Sequence, residues 1–200
     1  SVPSLGGNSN DTLAVRLMVQ NQYTNIAGVE SIWNSHTVQG SSASQAAVRY
    51  YQVNVTGDTV AANTTQASTH NPDANNRYMP SAAVDRAGNM AIGYSVSDNT
   101  MFPAIRYAGR LASDPLSALA QGEATIINGT GAQTNNCGTG ACTRWGDYSA
   151  MTLDPSDGCT FWYTNEYYES SGGNWQTRIA SFRFPACNLP LHTFLPAILR

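Results

Sequence analysis

Residues 144–168, RWGDYSAMTLDPSDGCTFWYTNEYY, decide how this chain is read. Residues 148–154 are a short apolar run, Pro155-Ser156-Asp157-Gly158 is a turn, and residues 159–168 alternate into an aromatic-rich strand. The stretch is therefore two neighbouring strands of one sheet, entered through a charged, aromatic loop. The same grammar occurs earlier without a gap. VDRAGNMAIGYS (84–95) overlays LDPSDGCTFWYT (153–164), placing Asp85 on Asp154, Tyr94 on Tyr163 and Ser95 on Thr164.

Working outward, the pattern recurs along the chain. Strands are expected at 13–19 (LAVRLMV), 28–38, 46–55 and a polar 58–69, then at 80–85, 90–97, 103–111 and 123–128. A third group follows at 148–154, 159–168 and 176–185, and its fourth strand is missing. The third strands repeat as AVRYYQV (47–53), AIRYAGR (104–110) and QTRIASF (176–182), with Arg49, Arg106 and Arg178 in one place. A residue recurring once per unit at a fixed strand position reads as structural rather than as an arginine triad. Helical periodicity is not sustained over three turns anywhere, although residues 113–121 could hold a short helical turn.

Four-stranded antiparallel units at periods of about 57 to 72 residues point to an all-β, β-propeller-type architecture. The expected division is an extended or mobile arm at 1–12, blade 1 at 13–69, blade 2 at 77–128, an incomplete three-stranded blade 3 at 144–187 and an apolar tail at 188–200. About three blades cannot close a ring. An upstream propeller fragment, or copies of the chain itself, would have to complete it and cover the open blade edge. Ser1 reads as the start of a processed or trimmed product.

Composition bounds the setting. Charged residues are 12% of the 200, there is no Lys, and all ten basic residues are Arg. A net charge of −3 argues against nucleic acid and anionic lipid as partners. The tail is too short and too interrupted by proline to span a bilayer. This is the surface of a secreted or cell-surface β protein, and the sequons at Asn10, Asn54, Asn63 and Asn128 would matter in a host that glycosylates Asn. Four cysteines fit an oxidising compartment. If 159–168 and 175–187 form a hairpin about the turn at 170–174, Cys159 and Cys187 sit opposite each other and bridge, leaving Cys137 and Cys142 to close a small Gly-rich loop. Zinc is the rival reading, but C-x4-C without a nearby His or second close pair fits it poorly. No metal and no cofactor is expected, and no G-x-S-x-G, H-E-x-x-H or phosphate-loop pattern is present.

Residues 144–168, with TRIASFRFPAC (177–187), RYMPSAAVDRAGNMAIGYSVS (77–97) and PAIRYAGRLASDPL (103–116), resemble the C-terminal portion of a group of large secreted bacterial propeller proteins described as sialidase-like. Most of that group has no established activity. The likeness covers residues 77–187 well and 13–55 loosely, and implies a propeller fold more firmly than a function. Sialidases carry an Asp-box turn between a blade's third and fourth strands. Here the turns at Asp85 and Asp154 lie between the first and second.

Loops at one mouth of such a propeller would carry the chemistry. Arg77, Tyr78, Arg144 and Trp145 are candidates for holding an anionic sugar or other carbohydrate, Trp145 as a stacking face. Asp147, Glu166 and Tyr148 are the candidate catalytic groups, because a glycosidase needs paired carboxyls or a Tyr/Glu nucleophile pair. The competing reading makes the Arg–Asp pairs structural clamps and the aromatics core. A non-catalytic binding or extracellular assembly role is expected first, and a sialidase-like glycoside hydrolase second.

Overall fold

In the computed structural model, which describes residues 1–138 and 140–187, the chain forms three antiparallel meanders and one short 3-10 turn at Thr56–Asp58. The first sheet is β1 (Gln22–Ile26), β2 (Val29–Gln39), β3 (Ala46–Asn54) and β4 (Gln66–His70). The second is β5 (Asn76–Val84), β6 (Met90–Asp98), β7 (Met101–Arg110) and β8 (Glu123–Ile127). The third has β9 (Ala150–Leu153), β10 (Phe161–Tyr167) and β11 (Gln176–Phe182). Among the described residues no strand pairs with the outer edge of β11.

The sheets pack in series, face against face. Trp33, Val48 and Tyr50 of the first sheet meet Ala82, Val84, Met90, Ile92, Tyr94 and Val96 of the second. The opposite face of the second, through Ala83, Ala91 and Ile105, meets Met151, Phe161, Tyr163 and Tyr167 of the third. The middle sheet is thus covered on both sides. Every residue of β5 is buried, which explains why its sequence does not alternate. Each large apolar side chain wholly removed from water here contributes about 1.5–3 kcal/mol.

The repeated motif has a packing reason. Tyr94 and Tyr163 hold equivalent places, each directed at the preceding sheet. Tyr163 lies so close to Gly93 that a Cβ there would sit 2.5 Å from its ring. The two turns also meet, Arg86 N–H donating to the Gly158 carbonyl at 2.9 Å. In each turn an Asp side chain caps the backbone, Asp85 accepting from Ala87 and Asn89 N–H and Asp154 from Ser156 N–H.

Three expectations are corrected. Residues 13–19 are not a strand; β1 lies later, where Ala27 and Gly28, both at positive φ, make a tight hairpin onto β2. The apolar side chains of 13–19 drew the reading, yet Val15 and Val19 are largely exposed. The polar 58–69 segment pairs only over Gln66–His70. The N-terminal arm is not a free extension. Val2 bridges Asn10, Leu5 N–H donates to the Met101 carbonyl, and Asp11 N–H donates to Thr143. Asn10 is wholly buried with its amide on the Tyr78 hydroxyl at 2.7 Å, so its sequon is closed in the folded chain.

Both disulfides form as paired from the sequence, Cys159–Cys187 and Cys137–Cys142. The register differs from the expected one. Phe161 pairs with Phe182 and Tyr167 with Gln176, which places residue 184, not Cys187, opposite Cys159. A turn after Phe184, in which Cys187 N–H donates to its carbonyl at 3.0 Å, folds Cys187 back to the bridge. The tail at 188–200 lies outside the described residues.

Candidate functional site

The segment linking β8 to β9 builds one wall of a cleft of about 540 Å³ against the third sheet. This wall is stapled by Cys137–Cys142 and held by the arm. The Asn8 side-chain amide donates to the carbonyls of Asn135 and Cys142, and the Gln133 amide donates to Cys142 at 2.6 Å. Across the hairpin turn, Thr134 N–H donates to Gly172. The cleft is therefore framed by hydrogen bonds running through three separated parts of the sequence.

Five of the expected site residues come together here: Arg144, Trp145, Asp147, Tyr148 and Glu166. Two of them, Arg144 and Trp145, are already engaged within the protein. Arg144 donates through Nε and Nη2 to one Asp147 oxygen, at 3.0 and 2.5 Å, and the pair raises the guanidinium pKa above its ordinary value. Trp145 is 1% exposed, stacks on Tyr168 and donates its indole N–H to Ser95 Oγ at 3.0 Å. It is packed and not a free stacking face. The exposed aromatic surfaces lining the cleft are Tyr148, at 84%, and Trp175, at 61%.

Glu166 is the chemically unbalanced group. Its Oε2 accepts one hydrogen bond, from Gly146 N–H at 3.0 Å, and no Arg or His among the described residues forms an ion pair with it. Gly146 is in the left-handed region, and a Cβ there would press on Asn165 Oδ1. Burial pushes the Glu166 carboxyl above the usual range, and the Asp147 charge pushes it further. Tyr168 is fully buried, and its hydroxyl has no hydrogen-bond partner among the described residues. Burial first, then the Glu166 charge, push that hydroxyl up to about 12. Asn135 Oδ1 is a second orphaned acceptor on the opposite wall.

Arg77 and Tyr78 do not belong to this cleft. They are not in a loop but inside β5, both at 0% exposure. Arg77 binds Asp73 through Nη1 and Nη2 and Glu123 through Nε and Nη2, at 2.7–3.1 Å. Glu123 also accepts from the Tyr94 hydroxyl and Arg106 Nη1, each at 2.7 Å, and lies 3.5 Å from His70 Nε2. Burial alone would raise the Glu123 pKa, but these donors outweigh it and hold the carboxyl far below its ordinary range. The cluster ties β4, β5, β6, β7 and β8 together, the clamp that was the competing reading for Arg77. The triplet of third-strand arginines divides likewise: Arg49 donates to Thr69 at 2.8 Å, Arg106 joins Glu123, and Arg178 is exposed.

Sequence reasoning missed Asn135, Tyr168 and Trp175 as cleft residues. The available signal was an exposed Trp at a hairpin entrance, directly after the turn at 170–174. A second hollow of about 530 Å³ lies over the outer face of the first sheet, lined by Leu17, Val19, Ile32, Tyr51 and Val53, with Asn21 and Asn34 among its polar groups. Among the described residues no group of three or more His, Cys, Asp or Glu is placed to hold a metal ion. No described helix is long and apolar enough to cross a membrane.

No protein-family model, no curated protein and no solved structure matches this chain.

Proposed function

We propose that this chain is an extracellular, β-propeller-type module that binds a saccharide in the cleft between residues 133–149 and the third sheet. The observation carrying this reading is the pairing of two exposed aromatic faces, Tyr148 and Trp175, with the hydrogen-bonding groups of Asp147, Glu166 and Asn135 in one recess. Aromatic faces take the C–H side of a sugar ring while polar groups fix its hydroxyls. The propeller part rests on three serial meanders, with β5 running between β2 and β3 of the first sheet and β9 of the third. Two disulfides and the absence of Lys support the extracellular setting. Further sheets, from an upstream fragment or from copies of the chain, would cover the apolar hollow on the first sheet and the free edge of β11. Screening a panel of neutral, amino and acidic oligosaccharides by isothermal titration tests the reading. Binding that Trp175→Ala weakens about tenfold supports it; a panel without one binder removes it.

A specific observation favours a second reading. Glu166 has a raised pKa beside the Asp147 carboxylate, the pairing a glycoside hydrolase uses for acid and base. Turnover of a fluorogenic glycoside that Glu166→Gln abolishes would place this reading first. No turnover would remove it, and turnover unchanged in that variant would take the acid role away from Glu166.

A further inference from the structure

The cleft carries an unbalanced charge and a surplus of acceptors. One guanidinium and two carboxylates line it, and Arg144, the only cation among them, is already engaged by Asp147. Glu166 is left with one backbone hydrogen bond and a second oxygen that no described residue donates to. Asn135 Oδ1 awaits a donor, and the fully buried Tyr168 hydroxyl lies within the field of the same carboxylate without a partner. A buried polar group without a partner calls for an explanation, and a ligand donor is one that fits the two lining this cleft, because they lie with an incompletely bonded carboxylate. An anionic sugar would meet a net negative recess whose one guanidinium is already neutralised. A donor-rich cation would meet a carboxylate, an orphaned hydroxyl and two aromatic faces suited to cation–π contact.

Resting on the saccharide reading above, we propose that the cleft selects sugars bearing a free, protonated primary amine, with Glu166 as counter-ion and the Tyr168 hydroxyl as hydrogen-bond partner. The ligand class is therefore a hexosamine that lacks an N-acyl group. Acylation would remove the positive charge and add a carbonyl acceptor where the cleft already has too many acceptors. The absence of Lys means that the chain presents no side-chain ammonium of its own to occupy the recess.

The test is isothermal titration of the full chain with three oligosaccharides of equal length: an unacylated glucosamine oligomer, its N-acetylated counterpart and an unsubstituted glucose oligomer. The unacylated sugar is expected to bind about tenfold tighter than the N-acetylated one. Glu166→Gln, which keeps an acceptor for Gly146 N–H, is expected to bring the two within about twofold. Tyr168→Phe gives an independent readout, because it removes an unpartnered buried hydroxyl. Affinity should fall severalfold while the melting temperature holds or rises, a combination that a merely structural tyrosine would not produce. Equal or tighter binding of the N-acetylated sugar, or a preference that survives Glu166→Gln, overturns the proposal. Binding of all three oligomers without amine preference overturns the amine alone, whereas binding of none removes the saccharide reading with it.

Discussion

Single residues in this chain carry either packing or chemistry, and two carboxylates show the division. Glu123 accepts from Arg77, Tyr94 and Arg106 and has His70 of the first sheet 3.5 Å away, so its place is structural. Removing one partner of such a buried cluster leaves uncompensated charge, and Arg77→Ala is expected to cost about 3–5 kcal/mol in urea unfolding. Glu166 has the opposite environment, and the sign of its pH dependence follows. Its folded-state pKa is raised, so its contribution to stability is fully present below the unfolded pKa and is lost as pH rises through the folded value. Glu166→Gln should therefore gain melting temperature relative to the parent chain between pH 4 and pH 7; a difference that stays flat or shrinks would contradict the burial assigned to this carboxyl. Glycine has a residue-scale role as well. At Gly93 a Cβ would strike the Tyr163 ring, so Gly93→Ala is expected to destabilise by about 1–3 kcal/mol, measured the same way.

At the scale of elements, the alternation and turn chemistry of 144–168 and its copy at 84–95 made the second and third sheets legible in the sequence. The turns at Asp85 and Asp154 lie where the Asp and Gly residues put them, while the expected cysteine pairing is reached through the turn after Phe184 and not through the hairpin register. Two kinds of information were not local. Residues 13–19 have strand-like composition, but β1 pairs through the hairpin at Ala27 and Gly28, so pairing decided against composition. Arg77 and Trp145 are polar-tipped residues beside turns, which reads as a loop site. Their burial depends on Glu123 and Ser95, 46 and 50 residues away in sequence. The cleft was half legible for the same reason: its charged rim and Tyr168 lie in one stretch, while Asn135 reaches it through the stapled segment and Trp175 from beyond the hairpin turn. The disulfides differ in what they constrain. Cys159–Cys187 spans 28 residues and Cys137–Cys142 spans 5, so replacing the first pair by Ala should cost about 3 kcal/mol and the second less. Losing the second should show instead as weakened ligand binding, because that staple shapes the cleft wall.

For the molecule as a whole, three sheets in series leave two outward faces of different character. The first sheet presents an apolar hollow around Leu17, Val19, Ile32 and Val53, the kind of surface a further packed sheet covers. The third presents the mixed, charged cleft. On the proposed function, assembly and recognition would use these two different surfaces. The most direct test of that separation is to map the amide shifts of the isotopically labelled chain while a bound oligosaccharide is titrated in. Perturbations concentrated on Asn135, Tyr148, Glu166, Tyr168 and Trp175, with the first sheet unmoved, are the predicted result. Perturbations centred on the hollow of the first sheet, or scattered over the surface without saturation, would contradict it.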